Sequence, residues 1–289
     1  MDTQKYKALL CAIELGSFSA AAEQLGYTPS GISHMADAVE GWLGLTLLQR
    51  GRSGVSLTHS GELLLPMLRD LVHLETLLQQ QAADLRGLTS GQLTIGSYSS
   101  ISAHWLPQVL YAFQQDYPGI TIRLMEGVHQ ELEDWLADYL VDFCLFSYPP
   151  GQNCDWLPLK KDPMLAVLPL DHLLAREKAI RLEQLADLPF IMPSRGYDCD
   201  VINLLQEQDL KPNVKFSTIE NYAALSMVEC GLGISVMNEL VTKGRTNQVV
   251  MLPFDPPRHI VLGIAVPSLA NASPAAKKII EYIRNMLAE

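Results

Sequence analysis

The chain has 289 residues, about twice the length of a typical single domain, so two or three domains are expected. A hydrophobic content of 48% suffices for buried cores, and a charged fraction of 18% argues against a disordered chain. The first residues lack a signal-peptide pattern, and no run of about 18 apolar residues occurs, so we expect a cytoplasmic protein that does not enter a membrane. Five scattered cysteines without a C-x-x-C pair favour reduced thiols over disulfides.

Charge does not predict a nucleic-acid partner. The formal net charge is −11, and residues 1–60 contain four Lys or Arg against five Asp or Glu. Neutralising phosphates requires basic side chains on the contacting face. Any case for DNA binding must therefore come from motif and geometry.

Three short helices are predicted in the first part of the chain. The spacing of apolar residues indicates a helix over residues 4–15 and a shorter one over residues 20–25. Thr28 is placed to cap a third helix, which has Pro29 at its first position and runs to about Leu43. Two short helices joined by a tight turn are typical of a helix-turn-helix, whose second helix enters the major groove.

A β-hairpin, or wing, is predicted next. Two short apolar stretches, residues 45–48 and 55–57, flank a glycine-rich tip. Arg50 and Arg52 near this tip are suited to contact the phosphate backbone. An ordinary surface hairpin fits the same spacing, so both interpretations stay open at this point.

A long helix is predicted over residues 59–85, capped by Thr58. Its apolar residues repeat at alternating spacings of three and four, which is typical of the seam of a two-stranded coiled coil. The alternative is that this stripe packs on the first helix of the same chain. The predicted dimerisation residues are Leu64, Met67, Leu71, Leu74 and Leu78.

From residue 91 onwards, strands and helices alternate, as in βαβ units around a parallel-type sheet. The pattern restarts near residue 164, which predicts two similar α/β lobes joined by crossover strands near residues 162–165 and 266–268. A last helix, residues 274–286, is expected to pack back on the first lobe.

Short motifs follow one another in a fixed order along the chain. They are Gly16-Ser-Phe-Ser-Ala-Ala-Ala-Glu-Gln-Leu-Gly26, Leu47-Leu-Gln-Arg50, Val55-Ser-Leu-Thr-His-Ser-Gly61, Gly91-x-Leu-x-Ile-Gly96, Trp105-Leu-Pro107, Tyr117-Pro118 and Gly231-Leu-Gly-Ile234. In order and spacing this set closely resembles the LysR-type transcriptional regulators over essentially the whole chain.

The resemblance implies a mainly α winged helix-turn-helix DNA-binding domain and an α/β two-lobed effector domain similar to periplasmic binding proteins. The implied domains are 1–58 for DNA binding, 59–88 for the linker and dimerisation helix, and 89–289 for the effector domain, with lobe 1 at about 91–162 and 268–289 and lobe 2 at about 163–267. It also implies a regulator that binds double-stranded DNA as a homodimer or homotetramer and responds to a small-molecule effector between the lobes.

Carried over residue by residue, the base-reading positions of the family fall on Thr28, Pro29, Ser30, Ser33 and His34. Pro29 has no side-chain donor where a Gln is common, so one base contact is expected to be absent. An acidic residue at position 37 would repel phosphate if it faced DNA. Arg50 and Arg52 are expected to contact phosphate, although the family also allows the first of them to stabilise the wing. The resemblance therefore implies modest, salt-sensitive affinity for each half-site.

The effector positions implied by the resemblance are Ser99, Ser100, Ile101, Ser147, Tyr148, Tyr197, Thr218 and Glu220. The serines at the start of a helix expose backbone N–H groups that favour an anion, unless Ser100 only caps its helix. Arg195 would favour an anionic ligand, whereas Glu126 or Glu220 would favour an amine. The ligand class stays open here.

Other classes of function fit the sequence less well. No catalytic, metal-binding or cofactor-binding motif occurs, and the carboxylate pairs Glu131/Glu133 and Asp198/Asp200 are expected on solvated surface, so neither an enzyme nor a cofactor is predicted. A solute-binding protein without a DNA role is the main alternative. A redox sensor based on Cys199 is disfavoured, because no second cysteine lies between it and Cys230.

Overall fold

A computed structural model describes most of the chain, namely residues 2–51, 54–85, 91–147, 154–194, 200–244 and 248–287. The predicted site residues Arg52, Tyr148 and Tyr197 lie outside the described residues, as do Arg195 and Cys199. The chain divides into two compact units, Met1–Leu88 and Thr89–Glu289.

The first unit is a winged helix-turn-helix followed by a long helix. Its elements are α1 (Gln4–Glu14), α2 (Phe18–Leu25), α3 (Pro29–Leu43), β1 (Leu48–Gly51), β2 (Gly54–Leu57) and α4 (His59–Leu85). The predicted caps of α3 and α4 are confirmed, since the Thr28 and Thr58 hydroxyls accept hydrogen bonds from the N–H groups of Gly31 and Gly61 at 3.1 and 3.0 Å. Ser17 alone caps α2, which starts two residues earlier than predicted.

One apolar cluster joins the helices of this unit to the wing. Leu9 of α1, Val39 of α3 and Leu68 of α4 are buried together with Leu47, just before β1. At Gly61 an added Cβ would lie 2.3 Å from the carbonyl oxygen of Leu47, so α4 can begin this close to the wing only with glycine there. The start of α4 is therefore fixed against the wing.

The second unit contains the remaining helices and strands. They are β3 (Gly91–Ser97), α5 (Ser99–His104), α6 (Leu106–Asp116), β4 (Ile120–Glu126), α7 (His129–Ala137), β5 (Phe143–Ser147), β6 (Asp155–Pro169), β7 (Pro189–Met192), α8 (Asp200–Gln206), β8 (Asn213–Ser217), α9 (Asn221–Glu229), β9 (Ser235–Asn238), α10 (Glu239–Thr242), β10 (Val249–Pro253), β11 (His259–Val266) and α11 (Pro274–Leu287), with 3₁₀ turns at Leu173–Arg176 and Leu182–Leu185. The sequence analysis did not predict β10 and α10.

The main sheet is mixed rather than parallel. Its described strands run in the order β10-β6-β11-β5-β3-β4, with β9 also paired to β6. Strands β3, β4 and β5 are parallel, as predicted, but β6, β9, β10 and β11 pair antiparallel. Two separate apolar clusters, one around Phe113 and Phe143 and one around Phe190 and Val236, form the cores of lobes 1 and 2.

The crossover between the lobes is longer than predicted. Strands β6 and β11 pair from Pro163 opposite His259 to Asp155 opposite Val266. The predicted boundary at residue 267 put all of β11 in lobe 2, but its second half pairs with β5 and is buried in the core of lobe 1. The predicted crossover segments, near 162–165 and 266–268, reach only the two ends of this pairing. The prediction that the last helix packs on lobe 1 is confirmed by α11 in the same core.

Asp142 is an acidic side chain held in a poorly solvated position beside β3. Its carboxylate accepts a hydrogen bond from the N–H of Thr94 at 2.7 Å, and its own N–H donates to the Thr94 carbonyl at 2.8 Å. Burial raises the pKa of Asp142 to about 6, although the hydrogen bond from Thr94 opposes this shift. Because the folded-state pKa lies above the unfolded value, ionisation of Asp142 destabilises the fold as pH rises through this range.

We expect Asp142→Asn to stabilise the protein at neutral pH. The amide oxygen can still accept from Thr94 but carries no charge to bury. A shift of about two pKa units corresponds to about 2–3 kcal/mol, so the free energy of unfolding should rise by roughly 1–3 kcal/mol at pH 7 and hardly at all near pH 4. Urea denaturation at both values measures this, with the exposed Asp187→Asn as control. An equal gain at both pH values would contradict the explanation.

Candidate functional site

The predicted recognition residues lie at one end of α3 and face solvent. Thr28, Pro29, Ser30 and His34 are exposed, and Ser33 is half-buried. The opposite side of α3 is fully buried through Ile32, Ala36 and Val39, which pack in the two clusters of the first unit. The hydrophobic period of this helix therefore fixes which residues face outward.

Arg50 points towards α3. Its guanidinium donates to the Ser33 hydroxyl at 2.9 Å, pairs closely with Asp37, and lies 3.4 Å from a carboxylate oxygen of Glu40. It also stacks 5.0 Å above the ring of Phe18. Arg50 thus holds the wing against α3. Its pairing with Asp37 reduces the negative charge that Asp37 would present to a phosphate.

Glu40 is a positioning residue that the sequence analysis missed. One carboxylate oxygen accepts from the N–H groups of Leu47 and Leu48 at 2.6 and 2.9 Å, at the start of β1. The other oxygen faces Arg50. A glutamate on a helix usually indicates a solvated surface, so the sequence carried no signal for this role.

The outer face of α4 is an apolar stripe that begins one residue earlier than predicted. Met67, Leu71, Leu74 and Leu78 are exposed, Leu74 by 58% and Leu78 by 71%. Leu64 instead packs in the cluster of its own unit, and Leu63, four residues before Met67, is exposed. One face of α4 therefore packs on its own unit, as the second alternative expected, and another face is apolar and exposed. The exposed stripe of α4 is defined here as Leu63, Met67, Leu71, Leu74 and Leu78.

A cavity of about 360 Å³ lies between the two lobes of the second unit. This lobe cavity has a size within the range of small-molecule sites. Its polar lining comes mainly from lobe 1 and its apolar lining mainly from lobe 2. The lining residues are Tyr98, Ser99, Ser100, Gly127, Val128, His129, Gln130, Glu131, Met164, Pro193, Ser194, Asp200, Val201, Ile219, Asn221, Val236, Met237, Asn238 and Val241.

The structure places the predicted effector residues unevenly. Ser99 and Ser100 line the cavity. Ser100 is the second residue of α5 and not its N-cap, which is Tyr98. Ile101 is fully buried in the core of lobe 1, so its assignment to the site is corrected. Ser147 is buried next to the lining rather than part of it.

On lobe 2 the cavity is lined by the neighbours of the predicted residues. Ile219 and Asn221 face the cavity, whereas Thr218 and Glu220 do not line it. The Thr218 hydroxyl accepts from the N–H of Glu220 at 3.1 Å, and the Glu220 carboxylate caps α9. The side-chain oxygens of Thr218 and Glu220 accept backbone N–H groups at the start of α9, and the residues that follow each of them, Ile219 and Asn221, line the cavity.

Four polar side chains form a hydrogen-bonded group beside the cavity, here called the cross-cleft network. The Tyr98 hydroxyl lies 3.1 Å from His129 Nδ1 and 3.0 Å from Ser147 Oγ, all in lobe 1. Asp200, at the start of α8 in lobe 2, accepts from Ser147 and, at 3.5 Å, from Tyr98. This corrects the expectation that Asp200 lies on solvated surface. The network connects the lobes directly.

The other carboxylate pair departs from the expected solvated surface only at Glu133, because Glu131 is exposed. A Glu131 oxygen accepts from the N–H of Val128 at 3.0 Å, at the start of α7, and Glu131 lines the cavity. Glu133 is 14% exposed and lies 3.4 Å from His129 Nε2. The spacing of His129 and Glu133 by one helical turn was the available signal, because residues four apart share a helix face.

The described part of the chain offers no group of three or more His, Cys, Asp or Glu that could hold a metal. It also has no helix with the length and apolar content needed to cross a membrane.

Comparisons with known proteins match both units. Residues 3–62 match the family model for bacterial regulatory helix-turn-helix proteins of the lysR family, and residues 86–288 match that for the LysR substrate binding domain. The chain is 32% identical to the uncharacterized HTH-type transcriptional regulator YvbU of Bacillus subtilis (strain 168), over 99% of each protein.

Solved structures share the fold. Full-length CbnR complexed with its target DNA has 19% identity and a TM-score of 0.65, over 99% of this chain and 100% of that one. The effector binding domain of QuiR in complex with shikimate has 24% identity and a TM-score of 0.61, over 68% of this chain and 96% of that one.

We expect Arg50→Ala to destabilise the first unit. It removes the guanidinium from between Asp37 and Glu40 and leaves two carboxylates close together. For partly exposed pairs and one cation–π contact the loss should be about 1–2 kcal/mol, seen as a lower urea midpoint by circular dichroism. Adding Asp37→Asn should recover part of it, and the exposed Arg176→Ala is the control. An unchanged midpoint would show that Arg50 does not stabilise the wing.

Proposed function

The chain belongs to the LysR family of bacterial helix-turn-helix transcription regulators, and on this basis we propose how its surfaces divide the work. The outer face of α3 and the wing bind double-stranded DNA, the exposed stripe of α4 pairs two chains, and the lobe cavity binds a small-molecule effector. A regulator of this kind acts in the cytoplasm, where the DNA is, and no catalytic step is assigned to it. The alternative of a solute-binding protein without a DNA role has no support from the match to residues 3–62.

The observation that carries the DNA-binding proposal is the outward face of α3. Ser30 and His34 are exposed one helical turn apart and are suited to hydrogen bonds with base edges or phosphates. The hydroxyl of Ser30 lies 3.2 Å from that of Thr28, so the start of the helix presents a pair of hydroxyl groups. Small polar side chains read sequence loosely, so each helix should contribute modest specificity.

Two copies are needed for useful affinity. With few basic residues on the first unit, one helix releases few counterions from DNA and binds weakly on its own. Two helices on successive turns of a duplex, about 34 Å apart, multiply their affinities through effective concentration. The exposed stripe of α4 supplies the pairing surface, because its apolar residues recur at the spacing of a coiled-coil seam.

DNA binding is tested with the duplex upstream of the chain's own gene, by fluorescence anisotropy across a range of salt concentrations. We expect His34→Ala to weaken binding about tenfold, as for loss of one base contact. His259→Ala removes an exposed histidine of the second unit and should bind like wild type. Equal affinity for this duplex and for unrelated DNA, or no loss with His34→Ala, would contradict the assignment.

Dimerisation is tested by Leu74→Glu. Two facing glutamates in an apolar seam repel each other and resist burial, so the chain should become monomeric in sedimentation analysis without losing helix content. Gln79→Glu adds the same charge to an exposed position of α4 outside the stripe and should leave the assembly intact.

The buried Leu68 separates pairing from folding on the same helix. Leu68→Ala should lower the free energy of unfolding by about 2–4 kcal/mol through the cavity it leaves, without a selective loss of pairing. If Leu74→Glu stays paired as wild type does, the stripe is not the interface.

A further inference from the structure

The cross-cleft network contains hydrogen bonds between side chains on opposite lobes that line or adjoin the cavity. Tyr98, His129 and Ser147 belong to lobe 1, and Asp200 belongs to lobe 2. Asp200 and Tyr98 also line the cavity, whereas Ser147 lies behind them. A ligand that enters the cavity therefore meets the carboxylate that connects the two lobes.

Asp200 is an acceptor in this network. The Ser147 hydroxyl has a single proton and donates it to Asp200. The Tyr98 hydroxyl also has a single proton, to share among the second Asp200 oxygen, Ser147 Oγ and His129 Nδ1. The donor and the acceptor are thus fixed between Ser147 and Asp200, and an ionised Asp200 can only accept.

We propose that Asp200 determines which effectors the lobe cavity accepts, by binding a hydrogen-bond donor group of the ligand in competition with Ser147. The inference rests on the proposed effector role of the cavity and names its ligand class: a small molecule with an amine or hydroxyl group on an apolar body. A ligand carboxylate placed next to Asp200 would be repelled by the like charge and would have no proton to donate to it.

The rest of the lining fits such a molecule. Val201 follows Asp200 on α8, and Val236 and Met237 of β9 add apolar surface from the same lobe. A donor at Asp200 would leave its apolar body against these side chains. Because a partly buried carboxylate that loses its donor is destabilised, a ligand that displaces Ser147 without offering a donor loses affinity.

Competition between the ligand and Ser147 also makes ligand binding affect the contact between the two lobes. While Asp200 accepts from Ser147 and Tyr98, it holds α8 against lobe 1. A ligand donor that takes over one carboxylate oxygen weakens this connection or replaces it with a bridge through the ligand. Asp200 is therefore a specificity and positioning residue, through which occupancy of the cavity changes the relation of the lobes.

Three probes of nearly equal size separate the ligand chemistries: benzylamine, benzyl alcohol and benzoate. Each is titrated into the full-length protein by calorimetry at millimolar concentrations and neutral pH. We expect benzylamine to bind most tightly, benzyl alcohol more weakly, and benzoate not at all. Benzoate binding as tightly as benzylamine, or no binding by any of the three, would overturn the inference, while leaving the DNA-binding measurements unaffected.

Variants then assign the effect to Asp200. Asp200→Asn should weaken benzylamine about tenfold and benzyl alcohol much less, because an amide oxygen still accepts from a hydroxyl but gives up the charge-assisted bond to an amine. Glu207→Gln removes the same charge from an exposed position just beyond α8 and should change neither. Equal affinities in wild type and Asp200→Asn would overturn the proposal.

Ser147→Ala gives a result that a merely structural role would not. It removes the competing donor, so benzylamine should bind severalfold more tightly than to wild type. Hydrogen exchange in α7 and α8 of the free variant should be faster than in wild type, since one connection between the lobes is lost. Unchanged or weaker benzylamine binding in Ser147→Ala would contradict competition for Asp200.

Discussion

The antiparallel pairing of β6 with β11 is the constraint on which the second unit depends. Both strands run through both lobes, so the lobes share a backbone hydrogen-bond ladder. The register shifts between Leu262 and Gly263, within the crossover. This shared ladder fixes the orientation of one lobe relative to the other. Tyr98, after β3, and Asp200, at the start of α8, therefore meet across the cavity. Under the proposed role of Asp200, occupancy of the cavity acts on the lobes through such contacts.

The first unit uses a comparable device on a smaller scale. The wing is not a free hairpin, because the Val55 N–H donates to the carbonyl of Gly16 at 2.8 Å and Glu40 accepts from the start of β1. Arg50 adds an ion pair between the wing and α3. The surface proposed to meet DNA is therefore held in one arrangement before binding, which reduces the entropy lost in the complex.

Local signals predicted most of the fold, and long-range pairing accounts for what they missed. Thr28 and Pro29 predict the start of α3, because helix capping involves residues only a few positions apart in the sequence. Leu64 was predicted on the exposed stripe but is packed in the core of its unit, and Leu63 is exposed instead. Apolar spacings of three and four residues indicate a helix face but not which face of α4 the rest of the unit covers. Asp200 was missed because its partners are 53 and 102 residues distant in sequence, so no periodicity records their contact.

The acidic charge of the chain and its membership of a DNA-binding family are reconciled by where the charges lie. Asp37 and Glu40, the two acidic residues of α3, are both engaged by Arg50, and Glu40 also accepts backbone N–H groups. The exposed tip of the helix is left with neutral hydroxyls and His34. Pairing with Arg50 reduces the repulsion between this face and phosphate, but the face gains little from counterion release. Under the proposed function, affinity comes from placing two such faces on one duplex, so the proposed pairing through the exposed stripe of α4 matters for DNA binding as much as α3 does.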